Sequence, residues 1–386
     1  MFIQRQIIHY LESMLKKFPI VSLTGPRQSG KTTLLKNAFP QYTYINLERL
    51  DYREILLADP LGFIKSQKQK VIFDEAQRVP ELFSYIQVIS DENGIPGQYI
   101  LSGSQSFLLN EQISQSLAGR VNINHLFPFS ITELPAYPSS INETIWKGFY
   151  PRIYNEDLLA SEFHPSYLQT YIERDVRSIK SIENLNTFSR FLGLCAGRAG
   201  QILNLTSLAN DTGISVNTVK AWLSVLESSF ILFLLPPYYK NFNKRLIKSP
   251  KLYFYDTGVL CSLLRINNPD LVGTNYMYGH LFENLIIAEI VKHFYHHGKR
   301  PYIYYWRESN GSEIDCIIET GNNKSVLIEI KGGETFNNEY LKNFKYFPNN
   351  DIIQKILIYA GNQTLVINDT ELLGFNDLPG FFDKLN

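Results

Sequence analysis

Cysteine is scarce, three in 386 residues, and Cys195, Cys261 and Cys316 stand far apart among apolar neighbours with no metal-ligand spacing. That excludes a disulfide-stapled module and assigns the thiols to core packing in a reduced compartment. Long apolar runs are also missing. The longest, Phe230 to Leu235, falls far short of the roughly 20 residues that span a bilayer, so neither a membrane span nor a membrane partner is expected. The N-terminal stretch lacks the small-residue cleavage site of an export signal. Instead FIQRQIIHYLESMLKKF sets Ile7, Leu11, Met14, Leu15 and Phe18 at helical spacing and reads as an amphipathic helix. A cytoplasmic protein is expected. Net charge is absent too, 37 Lys plus Arg against 37 Asp plus Glu, so no global excess of one sign draws a partner.

What is present is unevenly placed. The length exceeds one hydrophobic core, and two or three domains are expected. Early in the chain, IVSLT (Ile20 to Thr24) is a β-rich run followed by GPRQSGKTT and then by helix formers. Strand, GxxxxGKT loop and helix is the order of a phosphate-binding loop. Gly25 and Gly30 let the backbone of Gly25, Pro26, Arg27, Gln28, Ser29 and Gly30 wrap phosphates with its N–H groups inward, and the helix N-terminus adds partial positive charge. Lys31 is expected to reach the β and γ phosphates of ATP and Thr32 to ligate Mg²⁺, with Thr33 continuing the loop into the helix. A second run, KVIFDEAQ, ends in Asp74 and Glu75. At the carboxyl edge of a parallel strand Asp74 would hold Mg²⁺ through water and Glu75 would polarise the attacking water, which argues for hydrolysis as well as binding. A third, QYILSGS, ends in Ser104, either a polar sensor of the γ-phosphate or, with Ser102, a turn residue. Arg120 precedes VNINHLF; it is either a finger reaching a neighbouring subunit's nucleotide in a homo-oligomer or a surface arginine paired with an acid.

The middle of the chain is basic. Between Val176 and Lys251 ten basic residues face three acids, which invites a polyanion. Within it, TSLANDTGISVNTVKAWLSVLESS reads as helix, turn at Gly213, helix, with Val219, Trp222, Leu223 and Leu226 inward and Asn217, Thr218, Lys220 and Ser224 outward. The segment after it reads as a β-hairpin wing whose tip carries Lys240, Lys244, Arg245 and Lys248 beside Phe242. DNA is the expected partner, held by backbone contacts rather than by sequence readout, because the second helix offers a single cation. Packing against the nucleotide-binding core is the alternative use of such a winged helix.

Near the C-terminus VLIEIKGG places two charges, Glu329 and Lys331, on one face of a strand. Asp315 falls on the preceding strand of a hairpin, and Glu283 on a helix face turned to the core. The order Glu, Asp, ExK is that of PD-(D/E)XK nucleases. In that chemistry Asp315 and Glu329 hold Mg²⁺ or Mn²⁺, Glu283 completes the outer shell and Lys331 activates water. Ile314 stands where the motif's proline would be. A buried ion-pair cluster that cuts nothing is the competing reading.

Taken in order, GPRQSGKTTL, FDEAQ, ILSGS, LAGR, YPRIY, YIERDV, KSPKLYFYDTG, FEN, EID and EIK make the chain resemble the prokaryotic AAA-type ATPases fused to the domain of unknown function 4143. The resemblance reaches to about residue 335. It implies an α/β P-loop ATPase core, a winged-helix segment and a nuclease-like fold, and leaves a protein partner at the last domain as an alternative to DNA. The expected division is 1–160 for the ATPase, 161–251 for the helical and winged-helix part and 252–386 for the nuclease-like part.

Overall fold

The computed structural model describes residues 2–67, 70–104, 106–156, 158–171, 182, 184–239, 248–308, 310–321, 324–348 and 352–385. It divides into two compact units. The first comprises residues 1–135 with 228–230 and 294–299; the second holds 136–227, 231–293 and 300–386.

In the first unit five short strands, β1 (Ile20–Thr24), β2 (Thr43–Asn46), β3 (Val71–Asp74), β4 (Tyr99–Gly103) and β5 (Val121–His125), form a sheet in the order β2-β3-β4-β1-β5. All four pairings are parallel. A parallel sheet covered on both faces needs apolar residues in both alternations, and β3 supplies them. Val71 and Phe73 enter one core with Leu82, Phe83 and Ile86, while Ile72 enters the other with Leu34, Leu35 and Leu11. The N-terminal amphipathic helix forms over Ile7–Leu15 and buries Ile7, Ile8, Leu11, Met14 and Leu15. Crossovers in such a sheet return each chain to the same end, so β1, β3 and β4 deliver Thr24, Asp74 and Gly103 to one carboxyl edge.

The second unit carries helices and a six-stranded mixed sheet. The helices Leu205–Thr212 and Val216–Ser228 flank Gly213 at φ 81°, a left-handed turn suited to glycine. Their inward residues are those the periodicity gives: Leu208 and Ala209, then Val219, Trp222, Leu223 and Leu226. Strands β6 (Leu232–Leu235) and β7 (Lys251–Phe254) pair antiparallel as the stem of the hairpin. Of the expected wing tip, Lys240, Lys244 and Arg245 lie outside the described residues, and Lys248 is exposed. In the larger sheet β8 (Ile303–Arg307), β9 (Glu313–Glu319) and β10 (Ser325–Lys331) form an antiparallel meander; β11 (Ile352–Tyr359) and β13 (Thr370–Gly374) continue it in parallel, and β12 (Leu365–Ile367) closes the edge. The helix Tyr278–His296 buries Leu281, Leu285, Ile286, Ile287 and Ile290. Among the described residues no helix is long and apolar enough to cross a membrane.

Candidate functional site: a phosphate loop and a lysine-bridged carboxylate cluster

Between β1 and the helix Lys31–Ala38 the backbone takes three positive φ values, 152° at Gly25, 62° at Gln28 and 93° at Gly30. Alternating hand in this way turns successive N–H groups toward one point. Gly25 cannot be replaced: a Cβ there would lie 2.1 Å from the Leu126 carbonyl oxygen. Lys31 is buried, and its Nζ donates to the carbonyls of Gly25 and Pro26 at 2.8 Å each, which keeps the ammonium within the loop.

At the end of β3 the buried Asp74 accepts four hydrogen bonds. Thr32 Oγ1 at 2.7 Å and Tyr44 Oη at 2.5 Å donate to Oδ2; Ser102 Oγ at 2.5 Å and the Glu75 N–H at 3.2 Å donate to Oδ1. Burial, with the neighbouring Asp74 charge, holds the Tyr44 hydroxyl well above its usual range, so it stays a donor. Thr32 and Asp74 thus stand together as hard oxygen donors, a set that fits Mg²⁺. Glu75 follows in the left-handed region, φ 55°. Gln77 Nε2 donates to its Oε2 at 2.5 Å and Ser104 Oγ at 3.1 Å. Ser104 is therefore tied to the carboxylate expected to polarise water, and Ser102 to the one expected to hold the metal. Gly103 between them admits Gln77, whose Oε1 lies 2.3 Å from where a Cβ would be.

Arg120 is elsewhere. It precedes β5, whose first residue registers with Ile20 at the start of β1, whereas the loop follows Thr24 at the other end. Four residues at about 3.3 Å each put roughly 13 Å of strand between them. There Arg120 forms a two-pronged pair with Asp91, Nε–Oδ1 2.5 Å and Nη2–Oδ2 2.9 Å.

A second layer behind the loop carries no sequence signature. Arg5, buried, donates to the carbonyl of Ser29 inside the loop at 2.9 Å and to that of Phe127 at 2.7 Å, and its Nε lies 3.1 Å from Glu133. Glu133 also accepts the N–H groups of Gln6 and Ser130, and His296 lies 3.6 Å away. Burial would raise the Glu133 carboxyl, but the Arg5 guanidinium and the His296 ring hold it down at about 2. Arg5 and His296 each stand more than 100 residues from Glu133 in sequence, and no local pattern marks them.

In the second unit the expected nuclease-like residues come together as ion pairs. Lys331 Nζ lies 2.9 Å from Asp315 and 2.7 Å from Glu329. Glu283 is held by Lys251 at 2.9 Å and by the Tyr253 hydroxyl at 2.5 Å. Lys251 also pairs with Glu313 at 2.5 Å. Burial would raise Asp315, but Lys331 and Lys251 hold it down at about 2. Burial and the Asp315 charge push Glu329 well above the carboxylate range. Among the described residues no group of three or more His, Cys, Asp or Glu is placed to hold a metal ion. Two lysines, Lys251 and Lys331, are engaged with the expected ligand set of Glu283, Asp315 and Glu329, where the sequence alone offers only Lys331. Lys251, which the sequence places in a basic surface stretch, is buried. Arg198, from the same basic stretch, pairs with Asp211. Lys220 is exposed on the second helix of the helix-turn-helix.

Comparisons with known proteins follow this division. Residues 17–135 match the family model described as an AAA domain, 139–270 one described as a domain of unknown function (DUF8612), and 278–378 one described as a domain of unknown function (DUF4143). An uncharacterized protein of Mycobacterium tuberculosis, Rv2008c, is 30% identical over 317 residues, covering 80% of this chain and 69% of its own. Another of Methanocaldococcus jannaschii, MJ1637, is 23% identical over 397 residues, covering 89% and 81%. Among solved structures, a Walker-type ATPase of Pyrococcus abyssi is similar over 68% of this chain and 96% of its own at 16% identity, with a TM-score of 0.44. An AAA domain over the phosphate loop, the 4143 domain near the C-terminus and a relative sharing most of both lengths together mean that this chain belongs to the AAA-type ATPases that carry DUF4143.

Proposed function

We propose that the protein binds ATP with Mg²⁺, hydrolyses it, and uses the cycle to change its grip on DNA. The observation that carries the first part is the strand-end pair: Asp74 fixed by Thr32, and Glu75 fixed by Gln77 and Ser104. Lys31 and the loop N–H groups would hold the phosphates, and Thr32 with Asp74 would hold the ion. When bound, Mg²⁺ supplies charge neutralisation at the transferring phosphoryl group. Glu75 orients and polarises water, and Gln77 and Ser104 keep its carboxylate aimed. Arg120 contributes from a neighbouring copy, since its own strand carries it away from its own loop. The DNA part rests on two exposed cations, Lys220 on the second helix of the helix-turn-helix and Lys248 in the expected wing, each suited to a phosphate contact.

A second reading concerns the C-terminal cluster, which we take as architecture for a protein partner rather than a cutting site. Lys251 and Lys331 pair with the same carboxylates that the nuclease reading assigns to metal, and Lys251 has no place in that motif. One experiment separates these parts. The full-length protein is incubated with ATP, Mg²⁺ or Mn²⁺ and circular duplex DNA at several salt concentrations, reading phosphate release, DNA binding and strand breaks. Absence of phosphate release sinks the hydrolysis, salt-independent or absent binding sinks the DNA contact, and metal-dependent nicking sinks the architectural reading.

A further inference from the structure

We infer that Tyr44 is a positioning residue of the magnesium site, whose hydroxyl competes with the ion for one oxygen of Asp74. The inference rests on the reading of Thr32 and Asp74 as the residues that hold Mg²⁺. An ionised carboxylate has about four acceptor positions, and those of Asp74 are taken by Tyr44 and Thr32 on Oδ2 and by Ser102 and the Glu75 N–H on Oδ1. Three of the four are compatible with an ion. Thr32 keeps lone pairs for a ligand while its proton stays on Asp74. Ser102 is locked opposite Asp74 by the pairing of β3 with β4, and the Glu75 N–H is part of the same chain turn.

Tyr44 differs. It stands on the edge strand β2, its side chain partly exposed, and donates to the same Asp74 oxygen as Thr32. Its ring is held by a cation: Lys36 Nζ lies 4.1 Å from the ring centroid. Lys36 is one helical turn beyond Thr32, so the helix that begins at the phosphate loop also steers the tyrosine. With the hydroxyl in place the buried charge of Asp74 is satisfied without metal. Binding the ion then requires exchanging a good hydrogen bond for the ion's water shell, which sets a threshold for Mg²⁺.

The test uses full-length protein, ADP and Mn²⁺, with the free Mn²⁺ signal followed by electron paramagnetic resonance. Tyr44→Phe removes the hydroxyl and keeps the ring on Lys36. Half-saturating Mn²⁺ in the presence of ADP should fall about tenfold, the scale of one hydrogen bond to a charged acceptor, while ADP affinity measured in EDTA stays at the parent value. A residue serving only the fold would move the melting curve and leave the Mn²⁺ titration alone. Unchanged or weaker Mn²⁺ binding in a folded variant overturns the inference. Should Tyr44→Phe not fold, Lys36→Met, which loosens the ring without touching the carboxylate, should shift the titration in the same direction; no shift there counts against it equally. A parent protein that binds ADP but no Mn²⁺ removes the metal site itself, an outcome distinct from the failure of Tyr44 alone.

Discussion

Glu75 holds a backbone conformation that costs a non-glycine residue of order 1 kcal/mol or more, and the strain brings its carboxylate to Gln77 and Ser104. Replacing the carboxylate by an amide preserves shape and removes the base, so Glu75→Gln should bind ATP as the parent does and turn it over at least about 100-fold more slowly. Lys31→Ala should instead lose tight ATP binding, because the lysine acts on ground-state phosphates. Fluorescent-nucleotide titration beside phosphate release distinguishes the two, and parent-rate hydrolysis by Glu75→Gln would remove it from the chemistry. Glu133 gives a pH prediction. Its folded-state value, about 2, lies below the ordinary range, so its stabilising effect is complete above about pH 4.5 and is lost as pH falls toward 2. The depression is worth roughly 3 kcal/mol, and Glu133→Gln should flatten that acid limb in denaturant titrations. Lys31, Thr32, Asp74 and Glu75 are legible in the sequence because their chemistry is written in short motifs. Tyr44, Arg5 and Glu133 are not, since each acts on a partner brought near only by the folded sheet.

Helical periodicity carries the elements well. Trp222, Leu223 and Leu226 are buried where spacing puts them, because a helix exposes its register in any window of two turns. The C-terminal strands are harder to read. Strand β12 has three residues and β13 five, and β11 runs parallel to both β10 and β13; short strands paired over long separations leave little local signal. Charge misleads for a related reason: a lysine such as Lys251 reads as surface until its acidic partners, Glu283 and Glu313, are brought to it by other elements. Lys220 on the helix-turn-helix and Lys248 in the wing segment are exposed cations of the basic middle offered to DNA. Replacing Lys220 and Lys248 together by Ala should weaken duplex binding similarly for any sequence and lower the log–log salt slope by about 0.9 for each phosphate no longer neutralised. An unchanged slope would take these two lysines out of any DNA interface.

Lys251 ties three elements of the second unit together: the hairpin stem, the helix carrying Glu283 and the strand carrying Glu313. Lys251→Met should destabilise the protein by roughly 3–5 kcal/mol, because it strands buried carboxylates, and Lys251→Met with Glu283→Gln should recover part of the loss. Millimolar Mn²⁺ without nucleotide should leave the parent's denaturation midpoint where it is; metal stabilisation abolished by Asp315→Ala would reverse the architectural reading. Across copies, Arg120→Ala should cut hydrolysis more than affinity, and mixing it with Lys31→Ala should restore activity at interfaces that pair an intact loop with an intact arginine. Failure to restore it at concentrations where the protein is oligomeric would leave Arg120 to Asp91. The first unit is not continuous in sequence. Its core borrows Phe230, Tyr295 and His296 from late in the chain, packed around His125 and Phe127. On the ribosome the phosphate loop therefore emerges long before the residues that close its rear. A released chain truncated after residue 135 should leave His125 and Phe127 uncovered and open to chaperones and proteases, whereas one that includes residues 228–230 and 294–299 should resist them.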